Sequence, residues 1–140
     1  MEEVLDIKKT EDSPEVFMNA EKGFISVRGT SWLEDAVSFY RPLHQWLVEY
    51  FKNPRPVTEF EFCFSYINTS SAKQIAKFVS VINEYKSSSR ILIKWFYEKD
   101  DGEMLKTGEK YSELLNIDFQ FIETDPPKEE PEPEGFYHIF

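Results

Sequence analysis

"EVFMN" and "GFISVRG" are two short apolar runs joined by "AEKG", a charged turn ending in Gly23. Two such runs on either side of a turn predict a hairpin. The earlier "VLDIK" predicts a further edge strand. Through "SWLEDAVSFYRPLHQWLVEYFKNP" the period changes. Ala36, Phe39, Tyr40, Leu43, Trp46, Leu47, Tyr50 and Phe51 recur at helical spacing and mark one face of a helix. Ser31 with Glu34 offers a capping box at its start. Pro42 is expected to kink this helix or to mark its true beginning, and Asn53-Pro54 to end it.

"VTEFEFCFSYI" then places Phe60, Phe62, Phe64 and Tyr66 on one face and Glu59, Glu61, Cys63 and Ser65 on the other, which is strand periodicity. "SAKQIAKFVSVINEYK" returns to helical spacing through Ile75, Phe78, Val79, Ile82 and Tyr85. "RILIKWFY" predicts a strand buried on much of both faces, "DGEMLKTGEKYSELL" a short helix, and "DFQFI" a last strand. This order implies a single α/β domain in which a mixed sheet with an N-terminal hairpin carries helices packed on it. The crossover from Phe60 to Tyr97 should be parallel and right-handed. Parallel strands end on the same edge. Asn68-Thr69 and "YEKDDGE", from Tyr97 to Glu103, should therefore open onto one rim, the edge where ligands and partners collect in α/β sheets.

Composition narrows the function classes. The 140 residues suffice for one domain with a real core, expected over residues 1–122. Residues 123–140 read as a separate tail. "ETDPPKEEPEPE" has no apolar side chain to bury and predicts an extended leash, and "GFYHIF" predicts an aromatic end that docks on its own domain or on a neighbour. The net charge of −10 argues against nucleic-acid binding by counterion release. The charge is uneven, with six acids against one base from Glu123 onward. The N-terminus is charged and no segment approaches a membrane span, so a cytoplasmic location is expected. In that compartment Asn68-Thr69-Ser70 would not serve as a glycosylation sequon. The one cysteine, Cys63, permits no internal disulfide and is expected to be a buried, inert thiol.

Two clusters could carry chemistry. Asn68, Thr69, Ser70 and Ser71 lie where a strand becomes a helix. They are good N-cap residues, and the same helix end would favour a phosphate through its free N–H groups and positive dipole. The junction has no glycine, so it does not match a nucleotide-binding loop. Glu98, Asp100, Asp101 and Glu103 form an acidic turn, which is either a solvated loop or a magnesium site. His44 and His138 are too few and too far apart for zinc, and His44 falls near the apolar face of a helix. No histidine–acid pair completes a nucleophilic triad. Neither catalysis, a metal nor a cofactor is required.

"FYRPLHQWLVEYF", "FSYINTSSAKQI" and "IKWFYEKDDGEMLKTGEKYSELL" together resemble the SiaC-type regulatory phosphoproteins, a bacterial family similar in architecture to STAS domains and anti-sigma-factor antagonists. The resemblance covers roughly residues 3–122. Its most specific parts are the Tyr-x-Asn-Thr-Ser-Ser junction from Tyr66 to Ser71, and Trp-x-Tyr-x-x-Asp-Asp from Trp95 to Asp101 followed by Gly-Glu-x-Tyr from Gly108 to Tyr111. It implies a STAS-like fold and a non-catalytic protein switched by phosphorylation in a partner-switching pathway of signal transduction. A histidine-kinase-like serine/threonine kinase would modify the protein and a PP2C-type phosphatase would restore it. The unmodified form would bind an effector, in the best-known branch a diguanylate cyclase of cyclic di-GMP signalling. By motif, Thr69 is the phosphoacceptor, flanked by Asn68, Ser70 and Ser71, and the partner-binding rim comprises Tyr66, Glu98, Asp100, Asp101 and Glu103. Asp100-Asp101-Gly102-Glu103-Met104 is less acidic than the corresponding stretch of many relatives, and the tail has no recognised counterpart. Two other readings stand beside this one. One is a small metal-dependent enzyme using the Asp100-Asp101-Glu103 turn, the other a constitutive scaffold whose tail recruits a partner.

Overall fold

The computed structural model describes residues 2–125. Met1 and residues 126–140, and with them His138, most of the leash and the "GFYHIF" docking expectation, lie outside the described residues. In chain order the elements are β1 (Val4–Ile7), β2 (Glu15–Asn19), β3 (Phe24–Ser31), α1 (Ala36–Phe51), β4 (Val57–Ile67), α2 (Thr69–Tyr85), β5 (Arg90–Glu98), α3 (Gly102–Leu115) and β6 (Gln120–Thr124). The six strands form one mixed sheet in sequence order. β1, β2 and β3 pair antiparallel, and β3, β4, β5 and β6 pair parallel. β6 runs two residues past the boundary expected at Ile122, because Thr124 still pairs with Glu98.

Each of the three parallel crossovers moves one strand further in the same direction. Right-handed crossovers of that kind put all their helices on one face of the sheet, and the packing agrees. Phe60, Phe62 and Phe64 of β4 and Ile91, Ile93 and Trp95 of β5 are buried. The Phe78 ring of α2 stands edge-on to Phe60 and Phe62, and the Tyr111 ring of α3 edge-on to Trp95. The opposite face is open. The expectation that β5 is buried on both faces is corrected here. Leu92 is 43% exposed, and Arg90, Lys94 and Phe96 share its face, since among the described residues no second layer covers that side.

Hydrogen bonds pin the helices at points the periodicity does not specify. Helix α1 starts at Ala36 under the cap of Asp35, whose carboxylate accepts the Ser38 N–H at 3.1 Å and the Ser38 hydroxyl at 2.6 Å. Ser31 is no capping box for it. Ser31 ends β3, is fully buried and shares a 2.8 Å hydrogen bond with the Tyr40 hydroxyl. Burial pushes that phenol up to about 12. Pro42 stands inside α1 and not at its start. At the hairpin turn Gly23 adopts φ +63°, and a Cβ there would meet Val57 O at 2.7 Å, so the position requires glycine.

His44 is buried against Tyr40 and Phe78, with Nε2 3.0 Å from Gln74 O. Burial, aided by repulsion from Lys77, lowers its pKa below the ordinary 6.5. The unfolded chain therefore binds the proton more readily than the folded one. Stability contributed by neutral His44 is complete above about pH 6.5 and is lost as pH falls through the folded value. The denaturant midpoint is expected to drop across that window, and His44→Gln to flatten that part of the profile. An equally steep acid limb in the variant would assign it to other groups.

Candidate functional site

The end of β4 and the start of α2 form the centre of the site. Asn68 has an extended backbone and is the helix cap, its Oδ1 accepting the Ser71 N–H at 3.0 Å. Its Nδ2 donates to Leu33 O at 3.0 Å, and the Ser70 hydroxyl donates to the same carbonyl at 2.6 Å. The Asn68 N–H donates to Ser31 O at 2.9 Å. The polar cluster thus clamps the loop after β3 onto the first turn of α2. Its four members take different parts. Asn68 caps, Ser70 fastens the loop, and Thr69, the first helical residue, is exposed and makes no side-chain hydrogen bond among the described residues. Ser71 departs from expectation. It is fully buried and its Oγ has no partner among the described residues, because the third helical position turns its side chain into the core.

The clamp has a second product, Trp32. This ring stacks on Tyr66 with centroids 4.9 Å apart and planes 30° from parallel, and the two are 55% and 48% exposed. A β-bulge between Gly29 and Thr30 shifts the register of β3 on β4, so that Thr30 pairs with Tyr66 and Trp32 falls beside it. Bulges of this kind re-aim the strand end that follows them. Exposed tryptophan and tyrosine are the side chains that most often anchor protein interfaces, because a large rigid surface is buried at small conformational cost. The sequence reading did not single out Trp32. The available signal was a large aromatic just before the helical run and off its apolar face.

The acidic turn is built for capping. Asp100 has φ +69°, a left-handed conformation that aspartate tolerates better than most residues. The Asp101 N–H donates to Glu98 O at 3.0 Å, and its carboxylate accepts the Met104 N–H at 3.1 Å to cap α3. Glu103 lies in the first turn of α3, where its charge complements the helix dipole. Among the described residues no three His, Cys, Asp or Glu side chains gather as a cation would require. The local chemistry of the turn is helix initiation.

A cleft of about 290 Å³ joins the two segments, with Tyr66, Ala72, Asp101, Glu103, Met104 and Tyr111 among its walls. The structure thus brings Tyr66, Asp101 and Glu103 of the expected rim together. Thr69 stands at the head of the helix that supplies Ala72. Glu98 instead lines a separate groove with Cys63, Phe96 and Thr124, and Asp100 borders neither cavity. The motif residues after Trp95 have a packing role. The Trp95 indole N–H donates to Met104 O at 3.0 Å, and α3 rests on that ring at Gly108 and Tyr111.

The fold matches solved structures of Pseudomonas aeruginosa SiaC. Apo-SiaC aligns with a TM-score of 0.73 at 22% identity, over 89% of this chain and 99% of that one. SiaC in complex with the diguanylate cyclase SiaD, of which it is the activator, aligns with a TM-score of 0.78 at 20% identity, over 86% and 99%. An uncharacterised protein of P. aeruginosa strain UCBPP-PA14 is 21% identical over 116 residues, 82% of this chain and 92% of its own. The sequence profile of the SiaC family regulatory phosphoproteins matches residues 7–124. On that match, and with the sheet order and helix placement described above, this chain belongs to the SiaC family of regulatory phosphoproteins.

Proposed function

We propose that this protein is a non-catalytic switch that binds an effector, of the diguanylate cyclase class, through the rim around Thr69 and releases it when Thr69 is phosphorylated. The observation that carries this reading is the exposed Thr69 hydroxyl, without a side-chain hydrogen bond among the described residues, at a helix N-terminus three residues along the chain from Tyr66 of the exposed Trp32–Tyr66 stack. A kinase can reach that hydroxyl without unfolding anything. The phosphate formed there is favoured by the free N–H groups of the first turn, and Lys73 lies one turn on, at the spacing at which side chains of a helix meet. The kinase is proposed to be of the histidine-kinase-like serine/threonine class and the opposing enzyme a PP2C-type phosphatase.

Protein purified from its native host and examined by intact mass and peptide mapping should carry phosphate on Thr69. Thr69→Ala should abolish incorporation while costing about 1 kcal/mol or less of stability, because the cap is Asn68 and not Thr69. Full incorporation in that variant would move the acceptor to Ser70; Ser71 is too deeply buried to be next. The aromatic pair gives an independent check on the interface. Trp32→Ala should weaken effector binding by about 2 kcal/mol, some thirtyfold, with an unchanged melting temperature, since more than half of the ring is already in water. Unaltered affinity would place the interface elsewhere.

The metal-dependent enzyme reading finds no support in the acidic turn, where Asp101 is committed to capping α3.

A further inference from the structure

On the open face of the sheet Arg28 bonds Glu61, and Lys94 pairs with Glu59 at 3.2 Å. The two acids of the cleft between α2 and α3 are left unmatched. Asp101 spends one carboxylate oxygen on the Met104 N–H, and the other makes no hydrogen bond among the described residues. The Glu103 carboxylate makes none, and neither acid has an ion-pair partner among the described residues. Among those residues no base lines the cleft beside them. Its other walls are largely apolar, with Tyr66, Ala72, Met104 and Tyr111 supplying most of the surface. At about 290 Å³ the cleft falls just below the range of about 300–1,000 Å³ usual for small-molecule sites, so it has room for one large side chain. Tyr66 also belongs to the Trp32 stack, and a partner that covers the stack therefore meets the cleft without a break.

We propose that this cleft takes an arginine side chain of the effector, its aliphatic stem along Ala72 and Met104 and its guanidinium on the carboxylates of Asp101 and Glu103. The assignment rests on the reading of the Trp32–Tyr66 rim as the effector surface. Charge and wall chemistry together select this occupant. A leucine would match the apolar walls but would bury two carboxylates without a partner, which costs free energy. A lysine would bring a compact, strongly hydrated charge. The guanidinium is planar and more weakly hydrated, and its five donors can serve both acids while its face lies against a tyrosine ring. The stem of an arginine gains by covering apolar wall. Held in this way, the arginine is already matched by two carboxylates and supplies no free cation for a phosphate on Thr69.

The probe is the blocked tripeptide acetyl-Ala-Arg-Ala-amide, titrated into the full-length protein and followed through the backbone amide signals. Saturable shifts in the millimolar range are expected at Tyr66, Ala72 and Asp101 to Met104. The same peptide with citrulline keeps the shape, loses the charge and should bind about tenfold more weakly. The double variant Asp101→Asn, Glu103→Gln should weaken the arginine peptide by a similar factor. Asparagine caps a helix about as well as aspartate, so its melting temperature should hardly move. Equal binding of the two peptides, or no shift at the cleft, would overturn the assignment. Affinity for the effector separates the arginine from the rim that it rests on. Binding about tenfold weaker in the double variant supports the arginine. Weakening by Trp32→Ala but not by the double variant would keep the rim and overturn the arginine, whereas no effect of either would overturn both.

Discussion

Phosphorylation of Thr69 should weaken binding to the effector by about two orders of magnitude. A partner that packs over Trp32, Tyr66 and the small Thr69 hydroxyl would have to accept a group of about −1.5 to −2 charge in its place. Removing such a charge from water without a paired cation costs several kcal/mol, and about 1.4 kcal/mol is tenfold in affinity. The surroundings on this side do not neutralise it fully. Lys73 is one turn away, but Asp101 and Glu103 line the adjoining cleft. Thr69→Asp should reproduce part of the loss, having one charge and a shorter reach, and Thr69→Ala should bind like the parent. The check is calorimetry on the effector recovered from the native host, titrated with the unmodified, phosphorylated, Asp and Ala forms. Tighter binding of the phosphorylated form would mean that the partner reads the phosphate through arginine and that the switch has the opposite sign. Equal binding by all four would leave Thr69 as the first residue of a helix and nothing more.

Gly108→Ala should destabilise the fold by about 2 kcal/mol, although alanine is the better helix former by about 1 kcal/mol. A Cβ at that position would lie 2.5 Å from Trp95 Cδ1, closer than any real contact. The ring cannot move aside. It is 1% exposed, packed against Phe62, Phe64, Tyr111 and Phe119, and held by its hydrogen bond to Met104 O. The helix must shift instead; overpacking of this kind costs about 1–3 kcal/mol, and with the ring held fast the upper end of that range, less the roughly 1 kcal/mol of propensity gained, leaves a net loss of about 2 kcal/mol. Gly108→Val, with two further methyl groups and a poorer helix propensity, should lose more. At roughly 3–6 °C per kcal/mol for a domain of this size, the alanine change is readable in a thermal melt. A more stable Gly108→Ala would show that α3 can ride higher on the sheet. The Trp–Gly–Tyr part of the family signature would then need an explanation other than packing.

The two parts of that signature were equally visible in the sequence but differ in meaning. Trp95, Asp101, Gly108 and Tyr111 are accounted for by contact and capping. Asn68 and Ser70 are accounted for by the clamp on Leu33. Thr69 is exposed and makes no side-chain hydrogen bond among the described residues, which is why it is the candidate for modification.

Every strand and helix was legible from period and breakers, because these depend on neighbours along the chain: alternation in β4, helical spacing in α1 and α2, and Gly23 at the hairpin. The parallel crossover followed from the same string, whereas the STAS-like architecture was implied by the family resemblance. Three things did not. The open face was hidden because the pattern of β5 records which side chains are apolar and not whether a second layer arrives to cover them. Ser71 looked like its neighbours because its burial depends on how α2 sits on the sheet. Trp32 acquired its place beside Tyr66 only through the bulge at Gly29 and Thr30 and the clamp from Asn68. The sequence by itself determined the elements, their order and the helix-initiating chemistry at Asn68, while the cap at Asp101 emerged only from the structure. Which of those residues meet at one surface was decided by register and crossover, interactions between segments tens of residues apart that no local pattern encodes.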